Sequence, residues 1–231
     1  NDFWSRSDFP HHLVPKIAEL GIVGIGYPRP DRPAASRLLT SFISLEFSRV
    51  DTSMATFFGV HNGLAMGSIV FCGSPEQQER WLPKMSSMEM IGAFALTEPE
   101  AGSDAANVQT TATPSPDGKG YILNGQKRWI TNGGIAQVLT VMARTPTNKP
   151  GESKITAFLV TPDMPGFQVV ERRSPKCGIR DPAPSQLRFT DMRLPQEHIL
   201  APVRQGLALA LPVPPSVHPT AATSFPPPPP P

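Results

Sequence analysis

The spacing of apolar residues changes once along this 231-residue chain, near Ile91, and that change divides it. Before it, apolar residues recur at helical spacing; after it, they come in short runs between turn signals, as strands do. In the first part, Leu13, Val14, Ile17 and Leu20 follow Pro10 at helical intervals, and Gly21 ends the run. Gly24, Gly26, Pro28 and Pro30 then read as a loop. Residues 34–50 carry Leu38, Leu39, Phe42, Ile43, Leu45 and Phe47 on a broad apolar face. Asp51 is placed to cap a further helix bearing Met54, Phe57, Phe58, Val60 and Leu64. Ser74-Pro75-Glu76-Gln77 joins a Ser cap, a first-turn Pro and a capping-box Gln, ahead of a short helix with Trp81 and Leu82.

Beyond Ile91 the expected strands are 94–97, 108–113, 138–143, 155–161, 167–171 and 186–190. Ser115-Pro116-Asp117-Gly118 is a turn, and Asn124-Gly125 is a two-residue hairpin signal. Short strands at this spacing predict an antiparallel barrel or sandwich. The expected class is therefore α+β: an all-α domain over 1–92, a β domain over 93–200, and a disordered tail over 201–231. That tail is argued from proline. Of 29 prolines, 11 lie in the last 31 residues, six of them consecutive at the end, and 205–231 hold no Asp, Glu, Lys or Arg.

Several function classes drop out. With 21 basic and 19 acidic residues the net charge is +2, with no basic stripe to mark a nucleic-acid surface. Only Cys72 and Cys177 are present, which excludes a disulfide framework and a four-cysteine zinc site. Apolar runs break short of 18 residues, so no membrane-spanning helix is expected. His11, His12, His61, His198 and His218 form no metal-binding pair on one helix face, and no metal site is expected. His61, inside an apolar helix, reads as a packing or substrate-lining group. Gly21-x-x-Gly24-x-Gly26 follows a helix rather than a strand and reads as a turn. Cys177 reads as a structural thiol.

Two constellations can carry chemistry. Phe94-Ala95-Leu96-Thr97-Glu98-Pro99-Glu100-Ala101-Gly102-Ser103-Asp104 is a strand running into a loop of hydroxyls and main-chain donors, suited to a polar ring edge or an anion. Taken alone it reads first as an ordinary strand-to-turn connection. Asn124-Gly125-Gln126-Lys127-Arg128-Trp129-Ile130-Thr131-Asn132-Gly133-Gly134 ends with Trp129 and Thr131 on one face. An aromatic plane beside a hydroxyl suits a flat heteroaromatic cofactor, although a core tryptophan beside a loop threonine has the same pattern.

Together the two segments resemble the signatures of the acyl-CoA dehydrogenase and acyl-CoA oxidase superfamily. Gly73-Ser74-x-x-Gln77, Trp81-Leu82-Pro83, Gly178-Ile179-Arg180 and Leu194-Pro195 extend the resemblance from about Asp8 to about Leu200. It implies an FAD flavoprotein that removes hydrogen across the α,β bond of an acyl-CoA thioester. It further implies that Phe94, Leu96 and Thr97 lie along the flavin, and that Trp129, Ile130 and Thr131 flank its ring. Gly102 and Ser103 fall where FAD and acyl-CoA approach, with Ser103 also touching substrate. Arg180 matches a family position without a catalytic role.

The run Arg49-Val50-Asp51-Thr52 with Phe57-Phe58-Gly59-Val60-His61 is similar to glutaryl-CoA dehydrogenases and to plant short-chain peroxisomal acyl-CoA oxidases. The glutaryl enzymes place an arginine where this chain has Ala55, and an aliphatic side chain cannot neutralise a second carboxylate. The reading from sequence is thus a short-chain peroxisomal oxidase. The alternative is a mitochondrial dehydrogenase that passes electrons to an electron-transfer flavoprotein. The family's catalytic glutamate belongs to a C-terminal helical domain, and the last carboxylate here is Glu197, so no catalytic base is expected in this chain. The chain reads as a fragment or a truncated or splice-altered product of a homo-oligomeric enzyme. It then either serves that enzyme or binds FAD or acyl-CoA without turnover. A reading from a different class makes Phe225 and the prolines after it a ligand for polyproline-binding domains.

Overall fold

The structure is a computed structural model that describes residues 8–29, 33–171, 179 and 184–200. Cys177, Arg180, His218, Phe225 and the expected tail lie outside the described residues. Helices fill the first part: α1 (Val14–Glu19), α2 (Arg37–Val50), α3 (Thr52–Gly59), α4 (Met66–Cys72) and α5 (Pro75–Ser86). Local caps set their starts. Ser36 Oγ accepts from the Leu39 N–H at the head of α2, and the Asp51 carboxylate accepts from Ser53 and Met54 at the head of α3. Ser74 and Gln77 close the reciprocal capping box of α5.

The six-residue π-helical segment Val60–Ala65 joins α3 to α4, so Thr52–Cys72 is one continuous helix of 21 residues. By length and composition it is long and apolar enough to cross a bilayer, a test that a buried core helix also passes. Half of that stretch is buried inside the protein, including Phe57, His61, Met66 and Ile69. Widened π turns recur at functional sites, and this one carries His61 into the seam between helices and sheet. The ring is fully buried: Nδ1 accepts from the Gly92 N–H (2.9 Å), which leaves Nε2 to donate to the Met85 carbonyl (3.0 Å). Of its two expected roles, packing is the one this bonding supports.

Helix α2 differs from expectation. Its apolar face is broader than its contact: Ile43 and Phe47 pack on the core, while Leu38, Leu39, Phe42 and Leu45 are exposed. Phe47 stacks on Phe58 at 4.9 Å, and that pair ties α2 to α3.

The second part is one eight-stranded sheet: β1 (Gly92–Ala95), β2 (Thr111–Pro114), β3 (Gly120–Ile130), β4 (Val138–Pro146), β5 (Ser153–Val160), β6 (Phe167–Glu171), β7 (Ser185–Pro195) and β8 (Ile199–Leu200). The order is β6-β7-β3-β2-β4-β5-β8, with β1 also paired to β4. The sheet is mostly antiparallel, as expected, but β1 and β2 each run parallel to β4. Alternation along β4 serves two cores. Val138 and Met142 join Phe57, Met66 and Trp81 on the helical side. Leu139, Val141 and Ala143 join Leu123, Leu187, Phe189 and Met192, so the sheet curls over its own interior.

One turn assignment fails. The hairpin between β2 and β3 is at Ser115-Pro116-Asp117-Gly118, where the Gly118 N–H donates to the Ser115 carbonyl. Asn124-Gly125 lies within β3 instead, at a register slip opposite β7. Asn124 exchanges hydrogen bonds with Asp191 across that bulge. Glycine is required at 125 by a distant neighbour: φ is +149°, and a Cβ there would sit 2.6–2.8 Å from Thr110.

Candidate functional site

Strands β1 and β2 occupy the same edge of β4, one after the other. Gly92–Ala95 run beside Val138–Val141, and Thr111 lies beside Arg144. Between them the chain leaves the sheet as the loop 96–110, which leaves a gap in that edge. Strand β3 spans the gap: the Arg128 N–H donates to the Thr97 carbonyl at 2.9 Å. The two constellations singled out in the sequence therefore meet.

Lys127 fills the gap. Its side chain is fully buried, and Nζ donates to the Leu96 carbonyl (3.0 Å) and to Glu98 Oε1 (2.7 Å). Glu98 also accepts from the Thr110 N–H (3.0 Å) and from the Gln109 N–H. Arg144 holds the far end of the loop, donating from Nε to the Val108 carbonyl and from Nη2 to the Ala106 carbonyl. With both ends tied, Gly102, Ser103 and Asp104 stand exposed at the tip.

Burial works against both members of the ion pair. It would raise the Glu98 carboxyl, but the Lys127 ammonium and the donors from Thr110 and Gln109 outweigh it and hold that carboxyl below its usual range. Burial also pulls the Lys127 ammonium down, and Glu98 opposes that. Glu98 is thus committed to its partners. Glu100, two residues on, is exposed.

The end of β3 is distorted. The register with β7 slips between Lys127 and Ile130, and Trp129 takes φ +58°. That conformation is rare for a bulky residue, and such strain gathers at functional sites. Trp129 is 54% exposed, with the Arg128 guanidinium 4.8 Å from its ring centroid. A core tryptophan is thereby excluded. Ile130 is buried in the inner β core, which leaves only its main chain for a ligand. Thr131 is half-buried. Asn132, also at positive φ, is buried and donates from Nδ2 to the carbonyls of Phe57 (3.2 Å) and Gly92 (3.1 Å). Among the described residues its Oδ1 is the buried side-chain atom left without a partner.

Phe94, Leu96 and Thr97 are half-buried, the first two against the helical core. Exposed Trp129 and half-buried Thr97 and Thr131 thus belong to segments that meet at the Arg128–Thr97 bond, and their residue types fit a flat ring with polar edges. A separate cleft of about 800 Å³ lies between α5 and the segments 133–137 and 161–169, lined by Arg80, Trp81 and Lys84. It contains none of the eight site residues. The strained, exposed Trp129 favours the Thr97–Thr131 face over that cleft, whose cations have open solvent beside them.

Sequence reasoning passed over Lys127, Arg144 and Asn132 as site-forming groups. Strand alternation, which puts Lys127 on the same side as Leu123, was the available signal for a buried ion.

Comparison with known proteins bears on the family and the fold. Residues 1–89 match the acyl-CoA dehydrogenase N-terminal domain, and residues 93–192 match the acyl-CoA dehydrogenase middle domain. The human mitochondrial very long-chain specific acyl-CoA dehydrogenase is 40% identical over 167 residues, which is 70% of this chain and 25% of that protein. The mitochondrial isobutyryl-CoA dehydrogenase of Dictyostelium discoideum is 37% identical over 211 residues, 90% of this chain and 49% of that one. A crystal structure of a glutaryl-CoA dehydrogenase from Mycobacterium smegmatis in complex with FADH2 superposes with a TM-score of 0.85 at 32% identity, covering 94% of this chain and 53% of that one. The chain thus spans between a quarter and about half of the length of these relatives. All three are dehydrogenases and two are mitochondrial, which backs the dehydrogenase alternative better than the peroxisomal oxidase expected from sequence. By its matched domains and its fold, the chain belongs to the acyl-CoA dehydrogenase family, of which it carries the N-terminal helical and middle β domains.

Proposed function

We propose that this chain supplies the flavin-holding part of an FAD-dependent acyl-CoA dehydrogenase that converts an acyl-CoA thioester to its trans-2-enoyl-CoA. The observation that carries the reading is the exposed, positive-φ Trp129, hydrogen-bonded through its neighbour Arg128 to Thr97. FAD, when bound, supplies the acceptor for the hydride that leaves the acyl β carbon. Phe94, Leu96 and Thr97, together with Trp129, the Ile130 main chain and Thr131, would hold its ring. Gly102 and Ser103 stand where cofactor and thioester approach. Ala55 leaves a distal carboxylate without a cation, so the substrate is an acyl chain without one. Glu98, its carboxylate taken up by Lys127 and by the Thr110 and Gln109 N–H groups, is not free to act as the catalytic base.

A mitochondrial setting, with electrons leaving to an electron-transfer flavoprotein, has the support of the mitochondrial relatives. The assembled enzyme is a homo-oligomer. Titration with FAD tests the reading, followed by visible absorbance after gel filtration. Flavin is expected to stay with the protein, and Trp129→Ala is expected to weaken its binding by on the order of tenfold, the scale of one lost aromatic stack. Equal affinity in Trp129→Ala contradicts the reading. Peroxide release in air on adding butyryl-CoA to a full-length form would return the oxidase to favour.

A further inference from the structure

The flavin reading names the walls of a site but not what fixes their separation, and the buried pair at the gap in the sheet does that. We infer that Lys127 and Glu98 act as a positioning pair for the flavin-holding face, an inference that rests on the flavin reading. Glu98 directly follows Thr97, and Lys127 precedes Trp129 by two residues. The Nζ–Oε1 contact of 2.7 Å therefore joins the two segments beside the Arg128–Thr97 bond. Three further bonds tie the same two groups into main chain: Nζ to the Leu96 carbonyl, and the Thr110 and Gln109 N–H groups to the Glu98 carboxylate. The first fixes the residue before Thr97. The other two bring the far end of the 96–110 loop back to its start, so the Ser103 tip is hung from a closed ring of bonds.

Main-chain pairing alone does not hold this arrangement. Across the gap, β3 has lost its β2 partner, and its register to β7 slips between Lys127 and Ile130. The Arg128–Thr97 bond is the direct main-chain link from β3 to the Thr97 end of the gap. A buried ion pair is often no more stabilising than a well-packed apolar pair, so stability alone does not account for this one, whereas the geometry it imposes does. Lys127 and Glu98 touch neither ring nor substrate and act through Thr97, Trp129 and Ser103.

The test compares the full wild-type chain with the double variant Lys127→Met/Glu98→Gln, which removes both charges and keeps an acceptor for the Thr110 N–H. Two measurements are made: amide hydrogen exchange of peptides covering 96–110 and 127–131, and FAD affinity with the absorbance maxima of bound flavin. The double variant is expected to melt close to wild type. Its exchange in those two segments should rise roughly tenfold or more while other segments stay unchanged. Its bound flavin should be weaker and spectrally shifted, which a merely structural role would not produce at equal stability. Glu98→Gln alone keeps the inference testable if the double variant does not fold, since a neutral Lys127 can remain in place, and it should show the same local exchange increase. Unchanged exchange and unchanged flavin spectrum in the folded variant overturn the positioning role. Failure of wild type to hold FAD, with local exchange raised in the variant, would sink the flavin reading and leave the pair's hold on the loop standing.

Discussion

Lys127→Met lowers the free energy of unfolding by about 3–5 kcal/mol, the scale of a buried pair deprived of one partner. The cost comes from Glu98 rather than from the lost contact itself. Its carboxylate stays buried with only the Thr110 and Gln109 N–H groups to solvate it, and it must either carry an uncompensated charge or take up a proton. Methionine matches the length of the lysine stem, so lost packing adds little. Urea denaturation at neutral pH measures the effect, and adding Glu98→Gln to Lys127→Met should recover most of it because the orphaned charge is gone. A loss below about 1 kcal/mol for the single variant, the level of an exposed pair, would mean that water reaches Glu98.

Acid should act through a different group. His61 is buried, and desolvation pushes its pKa down from 6.5 to about 4, only partly opposed by its bond to the Met85 carbonyl. Below pH 6.5 the unfolded chain binds a proton at this imidazole that the folded chain refuses. Stability is therefore complete above pH 6.5 and falls as pH drops toward 4, by about 1.4 kcal/mol per pH unit and about 3 kcal/mol in all. The geometry agrees, since a protonated Nδ1 cannot accept from the Gly92 N–H. Loss of that bond opens the seam where β1 meets the π-helical turn. Urea midpoints between pH 7 and 5 measure this, with His61→Gln expected to flatten the slope. A wild-type curve flat over that range would show that the imidazole is hydrated.

What the sequence revealed divides along the range of the forces involved. Helix starts at Asp51 and Ser74 were legible because a cap bonds within three residues of itself. Strand β6 was legible to the residue, its run bounded by Gly166 and the end of the apolar stretch. Asn124-Gly125 misled because its chemistry suits a hairpin and a bulge equally, and only the approach of Thr110, far along the chain, selects the bulge. The breadth of the α2 apolar face gave no sign of how little of it the core would use. At the candidate site, Thr97 and Trp129 could be named from their segments. That their segments meet, through the Arg128 N–H and the Thr97 carbonyl, depends on β1 and β2 sharing one edge of β4, a non-local pairing that leaves no local pattern. The exposure and positive φ of Trp129 likewise follow from the register slip against β7.

The central claim is that the face between Thr97 and Thr131 receives the flavin ring. Mapping of amide and indole proton–nitrogen resonances during FAD titration tests it most directly. The account predicts shifts concentrated at the Trp129 indole N–H and at the amides of Leu96, Thr97, Ser103, Ile130 and Thr131, saturating together. Shifts gathered instead at Arg80, Trp81 and Lys84 in the cleft beside α5, with Trp129 unmoved at saturation, would contradict it.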